Sequence, residues 1–78
     1  MIKRTMKLVI TFHTTTDAMA MERMCRRAGA PGRLIPLPHS ISAGCGLAWC
    51  AAPDSEDALR ALMAQNRIVY QDTHLCLV

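Results

Sequence analysis

The chain has 78 residues, 51% of them apolar but only 4% aromatic, with four Cys, six Met and a formal charge of +3. This fits a single domain, residues 1–78 with a core over about 7–78; a chain so short buries only about 60% of the surface it exposes when unfolded and must build a thin core. The apolar share excludes a disordered chain, and the longest apolar run, Leu47 to Ala52, is far short of the roughly 20 residues a membrane helix needs.

Lys3 and Arg4 precede a brief apolar stretch interrupted by Lys7, without a small-residue cleavage site. No export signal is expected, and the expected compartment is the reducing cytoplasm. From Lys7 to His13, Leu8, Ile10 and Phe12 alternate with Lys7, Val9, Thr11 and His13, the period of a strand with one buried face. Thr14, three residues before Asp17, opens a helix in the manner of a capping box. Ala18, Met21, Cys25 and Ala28, with Met24 beside them, form its apolar stripe, and Arg26, Arg27 and Gly29 close it. Pro31-Gly32 turns the chain into Arg33 to Pro38, whose prolines suit an extended segment at a sheet edge. His39 to Gly44 reads as a polar loop and Gly46 to Ala52 as a buried strand.

Pro53 and the run Asp54-Ser55-Glu56-Asp57 open a second helix, with Asp54 or Ser55 as cap. Leu59, Leu62 and Met63 with Ala58 and Ala61 supply its buried stripe, and Asn66 its end. Ile68 to Tyr70 and Leu75 to Val78 make a last extended segment, interrupted by Gln71-Asp72-Thr73. The order β-α-β-β-α-β with right-handed crossovers predicts an α+β, ferredoxin-like sandwich: a four-stranded antiparallel sheet with two helices on one face. The first and third strands are then central, and the second and fourth are edges.

Charge is uneven. Residues 1–33 hold seven Lys/Arg against two acids, and residues 34–78 hold two against four. Such a patch attracts an anionic partner, which is RNA, an acidic protein surface or an anionic small molecule, and Arg23, Arg26, Arg27 and Arg33 are the candidates to dock it; a solvated helix face with dipole-compensating Arg is the plainer alternative.

Without an export signal the four cysteines, 25, 45, 50 and 76, are expected as free thiols. Cys45 stands between Gly44 and Gly46. Glycines on both sides permit positive φ and remove crowding, so backbone N–H groups can converge on the sulfur and favour a reachable thiolate. The alternative is a tight turn with Cys45 as filler. Cys25 belongs to the helix stripe, and Cys50 and Cys76 suit half-buried strand positions. A Cys45–Cys50 disulfide is disfavoured, since five residues of strand span about 16 Å and bridged Cα atoms lie within about 7 Å. No C-x-x-C pair exists, and His39 with Cys45 or His74 with Cys76 are the nearest ligand-like combinations, so no metal is expected. His13 and His39, at strand ends, are candidates to tune Cys45. Gly46 to Ala51 lies where RNA-recognition modules of this topology carry an aromatic motif, but Leu47 replaces the first ring. Stacking needs two or three rings on one surface, so nucleic-acid binding is disfavoured.

Thr11-Phe12-His13-Thr14-Thr15, Ala18, Glu22, Arg33 to Pro38, Ile41-Ser42 and Cys45-Gly46-Leu47-Ala48 together resemble a selenium/sulfur carrier protein family of small bacterial domains. The resemblance runs from about Lys7 to Tyr70, and its most specific parts are Leu34-Ile35-Pro36-Leu37-Pro38 and Cys45 to Ala48. It implies a small αβ sandwich in which Cys45 holds sulfur or selenium as a persulfide or perselenide; His39, Ser42, Gly44 and Gly46 are the candidate supporting residues of the loop. Donor and acceptor proteins are the implied partners, with no cofactor, and the open sheet edges leave room for a homodimer. The alternative function is a non-catalytic module that binds protein or RNA through its basic face.

Overall fold

A computed structural model describes residues 5–41 and 44–77. The elements are β1 (Met6–Thr11), α1 (Thr15–Ala28), β2 (Arg33–Pro36), β3 (Leu47–Ala51), a 3-10 turn (Pro53–Ser55), α2 (Glu56–Gln65) and β4 (Asp72–Leu77). The strands form one antiparallel sheet in the order β2-β3-β1-β4. This is the α+β, ferredoxin-like arrangement, with β1 and β3 central. Among the described residues no helix is long and apolar enough to cross a membrane.

The helix boundaries follow from local chemistry. The Thr14 hydroxyl oxygen accepts the Asp17 N–H at 3.1 Å, and its O–H donates to the Asp17 carboxylate at 2.8 Å, so Thr14 caps one open N–H of α1 while Asp17 holds the hydroxyl in place. At the other end Gly29 takes φ +66° and its N–H turns back toward the carbonyls of Arg26 and Cys25, the left-handed stop that glycine adopts without a Cβ penalty. α2 differs from expectation. Neither Asp54 nor Ser55 caps it through a side chain; Pro53 opens a 3-10 turn, and Ser55, itself in helical geometry, leads directly into Glu56. Proline suits that first position because it has no N–H to leave unpaired.

Ala18, Met21 and Cys25 from α1 and Leu59, Leu62 and Met63 from α2 pack with Ile68 on Leu8, Ile10, Phe12, Trp49 and Ala51. Ala28, Ala58 and Ala61 are exposed, so the two apolar stripes are narrower than periodicity alone indicates. The final segment also differs from expectation: Asp72 and Thr73 are part of β4, paired with Thr11 and Ile10, while 68–70 is outside the sheet. Ile68 serves the core instead, at 8% exposure. Ladder pairing with β1 decides this register in spite of the polar residues.

A further correction concerns the face away from the helices. Val9 and Thr11, expected on an open side, are 0% and 1% exposed. Val9, Ala48 and Ile41 form a small apolar cluster there, joined by Ile35, Leu37 and Cys76. Ile41 belongs to the segment read as a polar loop, yet it is buried against the sheet. The connection after β2 closes through the Leu37 N–H donating to the Gly46 carbonyl at 3.0 Å and turns at Pro38, whose carbonyl accepts the Ile41 N–H at 3.0 Å. That turn carries Ile41 onto Val9.

The two edges are unlike. β2 has four residues and ends in Pro36, and proline blunts an edge against further pairing. β4 has six residues and contains neither Pro nor Lys. Beside it Met6, Leu75 and Leu77 are all exposed.

Candidate functional site

Cys45 lies where the β2–β3 connection enters β3. Gly46 takes φ +78° with nothing near the position of a Cβ, which lets the chain bend sharply into the strand. Gly44 sits against β1's end: a Cβ there would be 3.1 Å from the His13 carbonyl oxygen, so the loop passes close to the start of α1. Cys45 itself is half-buried and packs against the edge of the main core, while Gly44 and Gly46 are exposed.

The polar contacts are not those of an N–H nest. The Gly44 N–H donates to the Gln71 side-chain carbonyl at 3.3 Å, and the Cys45 thiol donates to the Leu47 carbonyl at 3.5 Å. Among the described residues no N–H donates to the sulfur, a correction to the anion nest expected from the flanking glycines. The contact with Leu47 uses the thiol proton and has no counterpart for a thiolate, so chemistry at Cys45 requires the sulfur to turn from that carbonyl. Gln71, which holds the loop from the segment before β4, was not legible as a loop partner; it lies 27 residues from Gly44, and only the sheet brings them together.

All four cysteines are free. Cys25 is 1% exposed and burial pushes its thiol up to about 11, since a low-dielectric surrounding opposes the charged form. Cys50 and Cys76 lie on the sheet face away from the helices, with Cys50 opposite Arg33 and Val9, and Cys76 opposite Lys7. Cys50 is buried and Cys76 half-buried. His39 and His13 are exposed, and Ser42 lies outside the described residues. Among the described residues no group of three or more His, Cys, Asp or Glu side chains is arranged to hold a metal.

The basic residues expected to act together are divided by the sheet. Arg23, Arg26 and Arg27 line a shallow depression with Met19 and Glu22 on the outer side of α1, where Glu22 pairs with Arg26 at 3.8 Å. Arg33 projects from the opposite face of the sheet, since it pairs with Cys50. No ring is available for stacking on that face among the described residues: Phe12 and Trp49 are buried beneath the helices, and the Tyr70 hydroxyl accepts from Arg60 at 2.7 Å. Arg60 also donates to Glu56 at 2.8 Å and Thr73 at 3.2 Å, tying α2 to β4.

No curated protein and no solved structure gives a significant match to the chain. Residues 7–75 match the family described as "Putative Se/S carrier protein-like". That stretch includes both helices, β2, β3 and all but the outer ends of β1 and β4, and with them the Cys45 loop; the chain belongs to this family.

Proposed function

We propose that the protein is a sulfur or selenium carrier in which Cys45 receives the atom from a donor persulfide or perselenide and passes it to a partner enzyme. The observation that carries the reading is the half-buried Cys45 at a junction whose glycine neighbours are exposed, in a chain of the Se/S carrier-like family. The Cys45 thiolate attacks the terminal sulfur of a donor R–S–S⁻, the S–S bond of the donor breaks, and R–S⁻ leaves. Cys45 then carries –S–S⁻. A nucleophile of the acceptor takes the terminal atom and Cys45 departs as thiolate, so the cycle transfers an atom with no net oxidation.

Arg23, Arg26 and Arg27 support docking of an acidic protein surface on the outer side of α1. The unblunted β4 edge, with Met6, Leu75 and Leu77 exposed beside it, supports antiparallel self-pairing of two copies. Incubation with a cysteine desulfurase and cysteine, followed by intact mass measurement, tests the carrier step: wild type gains about one sulfur mass and Cys45→Ala gains none. Equal loading of Cys45→Ala refutes it.

A further inference from the structure

We infer that the sheet face away from the helices carries an anion-binding pocket, formed by Lys7, Arg33 and Cys50, for a small organic molecule bearing two acidic groups. A cavity of about 300 Å³ is bounded by Lys7, Gly32, Arg33, Cys50, Ala51 and Ala52. Its placement follows from register. Arg33 is directly opposite Cys50 across β2–β3, and Cys50 is directly opposite Val9 across β3–β1. Lys7, two residues before Val9 on the same face, is therefore the diagonal neighbour of Cys50, within reach of a long side chain. Two cationic residues thus flank Cys50 on the strands to either side of it.

Among the described residues neither cation meets a carboxylate. Both ion pairs among the described residues, Arg26 with Glu22 and Arg60 with Glu56, lie within helices, so no carboxylate partners Lys7 or Arg33 there. Asp72, the acid on the same face, is opposite Thr11 at the outer strand. Cys50 is 8% exposed yet belongs to neither apolar cluster; it forms part of the cavity boundary. Ala52, two residues after Cys50 on the same face, brings only a methyl to the cavity boundary.

The chemistry of the ligand follows from these walls. Two uncompensated cations match two negative charges, and the planar Arg33 guanidinium suits a carboxylate or phosphate through paired N–H donors. The volume is at the lower end for small-molecule pockets and exceeds what an inorganic ion fills. This pocket and Cys45 are at opposite ends of β3, so the inference does not depend on the carrier reading.

Titration of the full chain with succinate, glycerol phosphate and inorganic sulfate at constant ionic strength, followed by amide NMR, tests the assignment. The organic dianions are expected to shift Arg33, Cys50 and Ala51 at millimolar concentration and to slow alkylation of Cys50 by iodoacetamide. Lys7→Gln with Arg33→Gln is expected to weaken binding at least tenfold, and Arg33→Lys to weaken it less. No shift at these residues up to about 50 mM overturns the inference. So does binding that survives the double substitution, or sulfate binding as tightly as both organic anions, which identifies an adventitious ion only.

Discussion

Replacing Gly32 by alanine tests how closely β2 is fitted to the core. Gly32 takes φ +115°, and a Cβ there would collide with the Trp49 ring, 2.8 Å from Cε2, and with the Cys50 carbonyl oxygen at 2.7 Å. The left-handed backbone costs a non-glycine residue about 1–2 kcal/mol. Relieving the collision requires Trp49 or the strand to move, an overpacking cost of about 1–3 kcal/mol. Trp49 is 3% exposed and its Nε1–H donates to the Pro31 carbonyl at 3.2 Å, so a displaced ring also loses a buried hydrogen bond worth about 1 kcal/mol. The sum, about 3–6 kcal/mol, is a large part of the roughly 4–12 kcal/mol expected for a domain of this size. Gly29→Ala is the control, because Gly29 has φ +66° but no atom within 4 Å of the added methyl, leaving strain alone at about 1 kcal/mol. Thermal unfolding followed by circular dichroism and Trp49 fluorescence measures both. Gly32→Ala should lower Tm by about 15 °C or more and Gly29→Ala by about 4–8 °C. Equal shifts in the two variants would show that the collision with Trp49 does not exist.

Arg67 is the described non-glycine residue with positive φ, at 54° just after α2. Arg67→Gly should stabilise the domain by about 0.5–1 kcal/mol in urea unfolding, and a destabilised variant would contradict the left-handed end of that helix. Cys25 predicts a pH dependence. Its thiol is raised from 9.0 to about 11 in the folded protein, so between those values the unfolded chain has released a proton that the folded chain keeps. The stabilisation is therefore complete below about pH 9 and is lost as pH rises toward 11, by about 2–3 kcal/mol. Cys25→Ala should flatten that part of the stability profile relative to wild type, and parallel profiles would refute the burial argument.

Much of the architecture is legible in the sequence. Helix α1 carries its cap, stripe and stop in one local run from Thr14 to Gly29, so its limits need no distant partner. The edge position of β2 follows from prolines that cannot donate to a ladder. Cys45 and its glycines are contiguous, and the loop is visible as sequence.

What local patterns could not supply is whatever depends on pairing across the sheet. Asp72 and Thr73 look like an interruption, but their partners Thr11 and Ile10 draw them into β4. Ile41 looks like an odd apolar residue in a polar loop until the turn at Pro38 lays it on Val9. The basic residues of the first third look like one patch, and strand alternation sends Arg33 to the face opposite Arg23, Arg26 and Arg27. The same alternation joins Arg33 and Lys7 over Cys50, a group drawn from three strands. The sequence by itself determined the order of the elements and the position of Cys45, because caps, prolines and glycines act within a few residues. Only the tertiary structure decided which charges and thiols share a face, because strand register depends on chain segments distant in sequence.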